Sequence, residues 1–317
     1  MDIFIEDIRL FKDLELTRYY FIAIVYLIKE VPPMLQRTIN TSISLKGVGL
    51  HSGVESKLTL SPAPVNTGIV FIRTDVEPEK MIEGLYYNVQ NTMLTTALIK
   101  DNIEIKTIEH LYSALAGLAI DNLIIAIEGP EIPIMDGSSR PFIFAIQAAG
   151  IKGQSEKRKL VRVKKEISVS EGDKVAILKP YNGSKATFEI QYNNKMIDAT
   201  PQIATFDAQV DSYTHVISRA RTFGFEKDVE ALKKQNCILG GSLDNAILVN
   251  DDEILNSDGL RINDEFVKHK LLDAIGDLYL LGHQIVGEYY GFKSGHTLNN
   301  RLIRALMADK DAWEYTE

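Results

Sequence analysis

The sequence predicts an α+β fold. Short β-type runs bounded by turn residues recur along the whole chain, a few amphipathic helical stretches lie among them, and the two do not alternate as regular βαβ units. In chain order, the first feature is an apolar run from Tyr19 to Ile28. It has about half of the roughly 20 apolar residues that a membrane span needs, so no stable membrane insertion is expected. Asp2, Glu6, Asp7, Asp13 and Glu15 stand where a secretory signal would be basic, and no small-residue cleavage site follows. Pro32 and Pro33 then break the segment. Residues 1–33 therefore read as an N-terminal extension, of the kind that an upstream, non-native start would add. A docking helix with one apolar face is the alternative.

From Met34 onward the pattern becomes strand-like. Leu35 to Ile39, Ser42 to Leu45, Lys57 to Leu60 and Gly68 to Ile72 are short β-runs, with Gly47-Val48-Gly49 and Ser61-Pro62-Ala63-Pro64 as interruptions. Thr107 to Leu118 predicts a helix with Ile108, Leu111, Ala114 and Leu115 on one stripe. Leu123 to Ile127 is a buried strand, and Pro141 to Ala149 a helix closed by Gly150. Gly153 to Lys159 is polar and charged and predicts a linker, dividing the chain into α+β domains at 34–155 and 156–317. In the second, Leu160 to Val169, Val175 to Leu178, Thr187 to Tyr192, Ala246 to Val249 and Gly287 to Phe292 read as strands. Val229 to Lys234, Glu265 to Leu281 and Leu298 to Ala308 read as helices.

Composition narrows the function. The 317 residues carry a net charge of −8, which argues against a nucleic-acid partner. A single cysteine, Cys237, rules out an intrachain disulfide and any Cys-based zinc site, and it suits a reducing, cytoplasmic compartment. A metal site would have to use His, Asp or Glu. The richest stretch is His269 to Asp277, where positions 269, 273 and 277 share a helix face. A His and an Asp so placed can hold one metal ion; a solvated face with an ordinary i,i+4 pair is the competing reading. His110 follows Glu109 on an otherwise apolar helix, although a lone His there is commonly a satisfied core residue. His296 follows Lys293-Ser294-Gly295, where a loop can present it. A catalytic zinc needs three protein ligands and an open position. His110, His269 and Asp273 would supply the ligands, with Glu109 as base. A structural zinc would need a fourth ligand, and no Gly-x-Ser-x-Gly elbow supports a serine hydrolase.

Several motifs, taken together, make the chain resemble the UDP-3-O-acyl-N-acetylglucosamine deacetylases, zinc amidases of lipid A synthesis in Gram-negative bacteria. They are Gly47-Val48-Gly49-Leu50-His51-Ser52-Gly53, Thr107-Ile108-Glu109-His110-Leu111, Pro133-Ile134-Met135-Asp136-Gly137-Ser138, Ser218 to Phe225, Leu239-Gly240-Gly241-Ser242, Asp264 to Asp277, and Lys293-Ser294-Gly295-His296. They lie in family order over about residues 35–308 and leave out 1–33.

The resemblance implies two similar two-layer α/β-sandwich domains packed with the active site between them. It implies removal of acetate from the 2-amino group of a UDP-sugar bearing a 3-O-hydroxyacyl chain, the committed step of lipid A biosynthesis. Another acylated amino sugar is the alternative substrate. The implied roles are His110, His269 and Asp273 as zinc ligands, Glu109 as base, Thr222 as oxyanion donor, and His296 as acid supported by Asp277. Lys270 would meet the diphosphate, and Phe223, Val229, Ile238, Gly241, Leu243 and Leu248 would line the acyl passage. Iron(II) also fits a two-His, one-carboxylate set. A monomer is expected.

Overall fold

Two sheets carry the fold, and each draws its strands from a different stretch of the chain. The computed structural model describes residues 34–317; the N-terminal extension read above lies outside the described residues. The first sheet has five strands in the order Ile43–Val48, Glu55–Pro62, Leu123–Glu128, Ile69–Arg73 and Lys80–Glu83. Its central strand, Leu123–Glu128, runs antiparallel to Glu55–Pro62 and parallel to Ile69–Arg73. Alternate side chains on a strand point to one face. Leu58, Leu60, Leu123, Ile125 and Ile127 are accordingly all buried in one layer.

Among the described residues five helices have nine residues or more: α1 (Glu109–Leu118), α2 (Arg140–Ala149), α3 (Glu226–Lys234), α4 (Glu265–Tyr279) and α5 (His296–Ala308). The predicted apolar stripe of α1 is buried, and it shares a core with Phe142, Ile143 and Ile146 of α2 and with the five-stranded sheet.

The second sheet is built around Gln284–Phe292. Lys174–Lys179 pairs antiparallel along one edge of that strand, with Ile167–Glu171 outside it. Two strands pair with it in parallel, Leu160–Val163 at its start and Ser184–Glu189 along the rest, flanked by Trp313–Thr316 and Ile203–Asp207 respectively. Helix α4 packs on this sheet and on α1, and Gly276 makes the α1–α4 crossing close. A side chain at 276 would run into the Glu109 carbonyl and the Ser113 amide. Phe266, Val267, Leu271, Leu272 and Leu278 of α4 are buried, each worth about 1.5–3 kcal/mol. That burial offsets the cost of desolvating the polar groups on the same helix.

The α+β reading holds, and three local expectations need correction. The segment predicted as a linker at 153–159 is largely a strand, Ile151–Lys157, antiparallel to Leu35–Ile39. It is almost wholly exposed, so it lacks the apolar alternation that marks a strand. The run 160–169 is two strands, Leu160–Val163 and Ile167–Glu171, rather than one. His296 is the first residue of α5, not part of a loop, because Gly295 serves as an N-cap with no side chain. A short ribbon of Val89–Asn91, Ala97–Lys100 and Ile103–Ile105 was not anticipated. Asp101 and Asn102 close its second hairpin with φ of 51° and 64°, the left-handed pair that such a turn requires. The ribbon brings Thr95 and Thr96 against the start of α1. No helix among the described residues is long and apolar enough to cross a membrane.

Candidate metal-dependent active site

The crossing of α1 and α4 places three potential ligands at one point. His110 Nε2 and His269 Nε2 lie 3.5 and 3.4 Å from Asp273 Oδ1. One ligand atom from each residue falls within 4.8 Å of the others, and all three residues are buried. For bonds of about 2.0–2.1 Å, a tetrahedral ion spaces its donors about 3.3–3.4 Å apart, close to what is seen. Asp273 Oδ1 is buried without a hydrogen-bond partner among the described residues, an expensive state for a carboxylate oxygen unless a cation meets it. His269 Nδ1 is bonded to the Ala220 carbonyl at 3.1 Å, which fixes the tautomer and turns Nε2 toward the cluster. Burial pushes the His269 imidazole down to about 3 despite the nearby Asp273 carboxylate, so it is neutral and can ligate. Burial would raise Asp273, but His269 and Lys270 outweigh it and hold this carboxyl well below its usual range. The residues present fit a metal ion, and the solvated-face reading of this stripe fails, since His269, Asp273 and Asp277 are 2–4 % exposed.

Beside the cluster stands a second pair of groups. Glu109 is fully buried, and burial raises its carboxyl above the ordinary value against the pull of His296 and His110. Its Oε2 accepts the Thr96 amide at 3.0 Å, and Oε1 lies 4.0 Å from His296 Nε2. His296 Nδ1 is 2.9 Å from Asp277 Oδ2. Burial opposes the charge on this imidazole, as does its place at a helix N-terminus. The carboxylate of Asp277, helped by Glu109 and Asp273, prevails and lifts it to about 9. Asp277 also accepts from the Thr96 hydroxyl at 2.6 Å and from Asn299 Nδ2 at 2.8 Å, so its orientation is fixed. One end of the site therefore holds a poised carboxylate and a charged imidazole, the arrangement of a base and an acid.

The ligand cluster and the Glu109–His296 pair open on one cavity of about 910 Å³, at the upper end of the range for ligand sites. Thr222 lines it, its backbone fixed by bonds to the Gly137 carbonyl and the Ile247 amide, both 2.8 Å. All six residues expected along an acyl passage, Phe223, Val229, Ile238, Gly241, Leu243 and Leu248, also line it. Phe223 does more than line the cavity. Its ring packs on Phe266 and Tyr192 and sits 6.3 Å from the His269 ring, so it also walls the ligand cluster. Lys270 lines the cavity, with its ammonium bonded to Asp273 Oδ2 at 2.6 Å. It thus secures the oxygen that does not face the two imidazoles.

Several supporting residues escaped the sequence reading. Arg221 and Glu265 form a buried pair, Nε to Oε1 2.9 Å, that ties the start of α4 to the segment carrying Ala220 and Thr222. Both stand inside the quoted motifs, and an Arg within Ser218 to Phe225 was the available signal. Thr95, Thr96 and Asn299 orient Glu109 and Asp277, yet no spacing rule links them to either. Thr107 lines the cavity with φ of 58°, unusual for a β-branched residue. Such a conformation costs of order 1–3 kcal/mol and persists only where neighbours enforce it.

Residues 36–308 match the family model described as UDP-3-O-acyl N-acetylglycosamine deacetylase. Three proteins named UDP-3-O-acyl-N-acetylglucosamine deacetylase are similar to this chain. Those of Marinobacter nauticus, Hahella chejuensis and Chromohalobacter salexigens are 53%, 52% and 54% identical over 279 residues, covering 88% of this chain and 92% of each relative.

Proposed function

The chain belongs to the UDP-3-O-acyl N-acetylglycosamine deacetylase family, and we propose that it hydrolyses the N-acetyl group of a UDP-3-O-acyl-N-acetylglucosamine, releasing acetate and the free amine. The observation that carries the proposal is a buried His-His-Asp ligand cluster beside Glu109 and His296, at a cavity with room for an acyl chain. A zinc ion held by His110, His269 and Asp273 would supply Lewis acidity and an activated water.

The chain's own groups do the rest. With Oε2 held by Thr96, Glu109 keeps Oε1 to take a proton from the attacking water. The hydroxyl of Thr222 donates to the oxyanion as the acetamide carbon becomes tetrahedral, a kind of contact often worth about 3 kcal/mol. His296, protonated up to about pH 9, delivers its Nε2 proton to the amine nitrogen as the C–N bond breaks. Lys270 keeps Asp273 ionised and adds positive charge near a diphosphate. Phe223, Val229, Ile238, Gly241, Leu243 and Leu248 take the acyl chain. We also propose that 34–155, with the five-stranded sheet, and 156–317, with the seven-stranded sheet, act as two domains of a cytoplasmic enzyme. The test is acetate release from UDP-3-O-acyl-N-acetylglucosamine beside the same acylated sugar lacking UDP. Turnover of the first and little of the second is expected; equal turnover of both, or none of either, would reject the substrate.

A further inference from the structure

Glu131 is wholly buried, yet it is not one of the groups that meet at the ligand cluster. It is a lone acid next to Pro130, Ile132, Pro133 and Ile134, and its carboxylate collects donors from two distant loops. Oε1 accepts the Thr107 hydroxyl at 2.6 Å and the His51 amide at 2.9 Å. Oε2 accepts the Ser52 amide at 2.7 Å. Gly49 leaves room for this arrangement, because a side chain there would strike the Glu131 carboxylate and the Ser52 hydroxyl.

Thr107 is the connection to the chemistry. It stands two residues before Glu109, in a left-handed conformation that a β-branched residue resists. Ile108, the N-cap of α1, makes no side-chain cap, and its amide donates to the Thr96 carbonyl at 3.2 Å. The rest of the hold on the first turn comes through Thr107. Its amide donates to Thr95 Oγ1 at 2.8 Å, and its hydroxyl makes the short, charge-assisted bond to Glu131. The same carboxylate fixes the 49–52 loop. The Leu50 and His51 carbonyls of that loop in turn accept the Gly240 and Leu239 amides of the segment between Ile238 and Gly241.

We propose that Glu131 is a positioning residue. It holds Thr107 left-handed and thereby aims Glu109 and His110 into the cavity, while anchoring the loop that supports one wall of the acyl passage. The base role of Glu109 in this inference rests on the deacetylase reading; the aim of His110 does not.

The test compares Glu131→Gln in two backgrounds, wild type and Thr107→Gly. Glycine takes a positive φ without strain, so it no longer needs Glu131 to hold it there. In the wild-type background Glu131→Gln is expected to lower kcat by about ten- to a hundredfold, the scale of a displacement near 1 Å, with KM changed less than about threefold. In the Thr107→Gly background the same substitution should cost less than about threefold. Proteins fully loaded with Co²⁺ give a second readout. The visible band should shift in Glu131→Gln and stay in place when Glu131→Gln is added to Thr107→Gly. An equal kcat penalty in both backgrounds, or an unshifted cobalt band in Glu131→Gln, would overturn the proposal. So would a lowered melting temperature with kcat intact. If the wild type releases no acetate, the deacetylase reading fails, and the cobalt comparison still decides the role of Glu131.

Discussion

Helices α1 and α4 bring their groups to the same point in opposite ways. On α4, His269, Asp273 and Asp277 occupy three successive turns of a regular fifteen-residue helix, so the periodicity of the helix itself aims them. On α1, Glu109 and His110 are neighbours in the first turn. Their aim depends on Thr107, Thr95, Thr96 and Glu131, none of which is on the helix. A stripe along a helix is aimed by local geometry; a pair at a helix end is aimed by tertiary contacts. The α4 half of the site should therefore fail residue by residue, whereas the α1 half should also fail when its supports are changed.

The largest expected effect is on α4. His269→Ala should lose the metal and nearly all activity, read by metal analysis and acetate release; retention of one ion per chain would break the comparison. Glu109→Ala comes next. It should keep the metal and lose about 10²–10⁴ in turnover, the usual scale for a general base. Equal metal loss in both variants would mean that Glu109 is part of the ligand set.

A smaller and more specific effect is expected at Asp277. The acid must be protonated for the amine to leave, so activity falls as pH rises through the His296 value of about 9. Asp277→Asn removes the strongest support for that charge and should move the basic limb of the kcat profile to lower pH. A limb that does not move would reject His296 as the acid. The smallest effect on chemistry is expected from Gly276→Ala, whose new methyl meets the backbone of α1. Overpacking of this kind costs about 1–3 kcal/mol. A lowered melting temperature should result, and an unchanged one would show that the helices need not approach so closely.

The same contrast explains what the sequence made legible. The α4 stripe could be read because positions 269, 273 and 277 share a face whatever surrounds the helix. The helical character of α1 and the oddity of His110 on it were also readable. The supports of α1 were not. Thr96 reaches Asp277 across 181 residues and Glu131 reaches Thr107 across 24, and no local pattern encodes either bond. The strand at Ile151–Lys157 was missed for a related reason. Its partner is Leu35–Ile39 at the far end of the first half, and its exposed side chains carry no alternation. A glycine N-cap looks like a turn residue in sequence, so Gly295 disguises the start of α5 at His296 as a loop. The motif set, by contrast, points to the family without any geometry, because its segments keep their order over most of the chain.

The central claim is that the crossing of α1 and α4 makes one metal-dependent deacetylase centre. Its most direct test is a titration of metal-stripped protein with zinc, following acetate release from UDP-3-O-acyl-N-acetylglucosamine. The account predicts almost no release without metal and a rise that reaches its plateau at one ion per chain. Undiminished release by the stripped protein would contradict it, as would full zinc loading with no release.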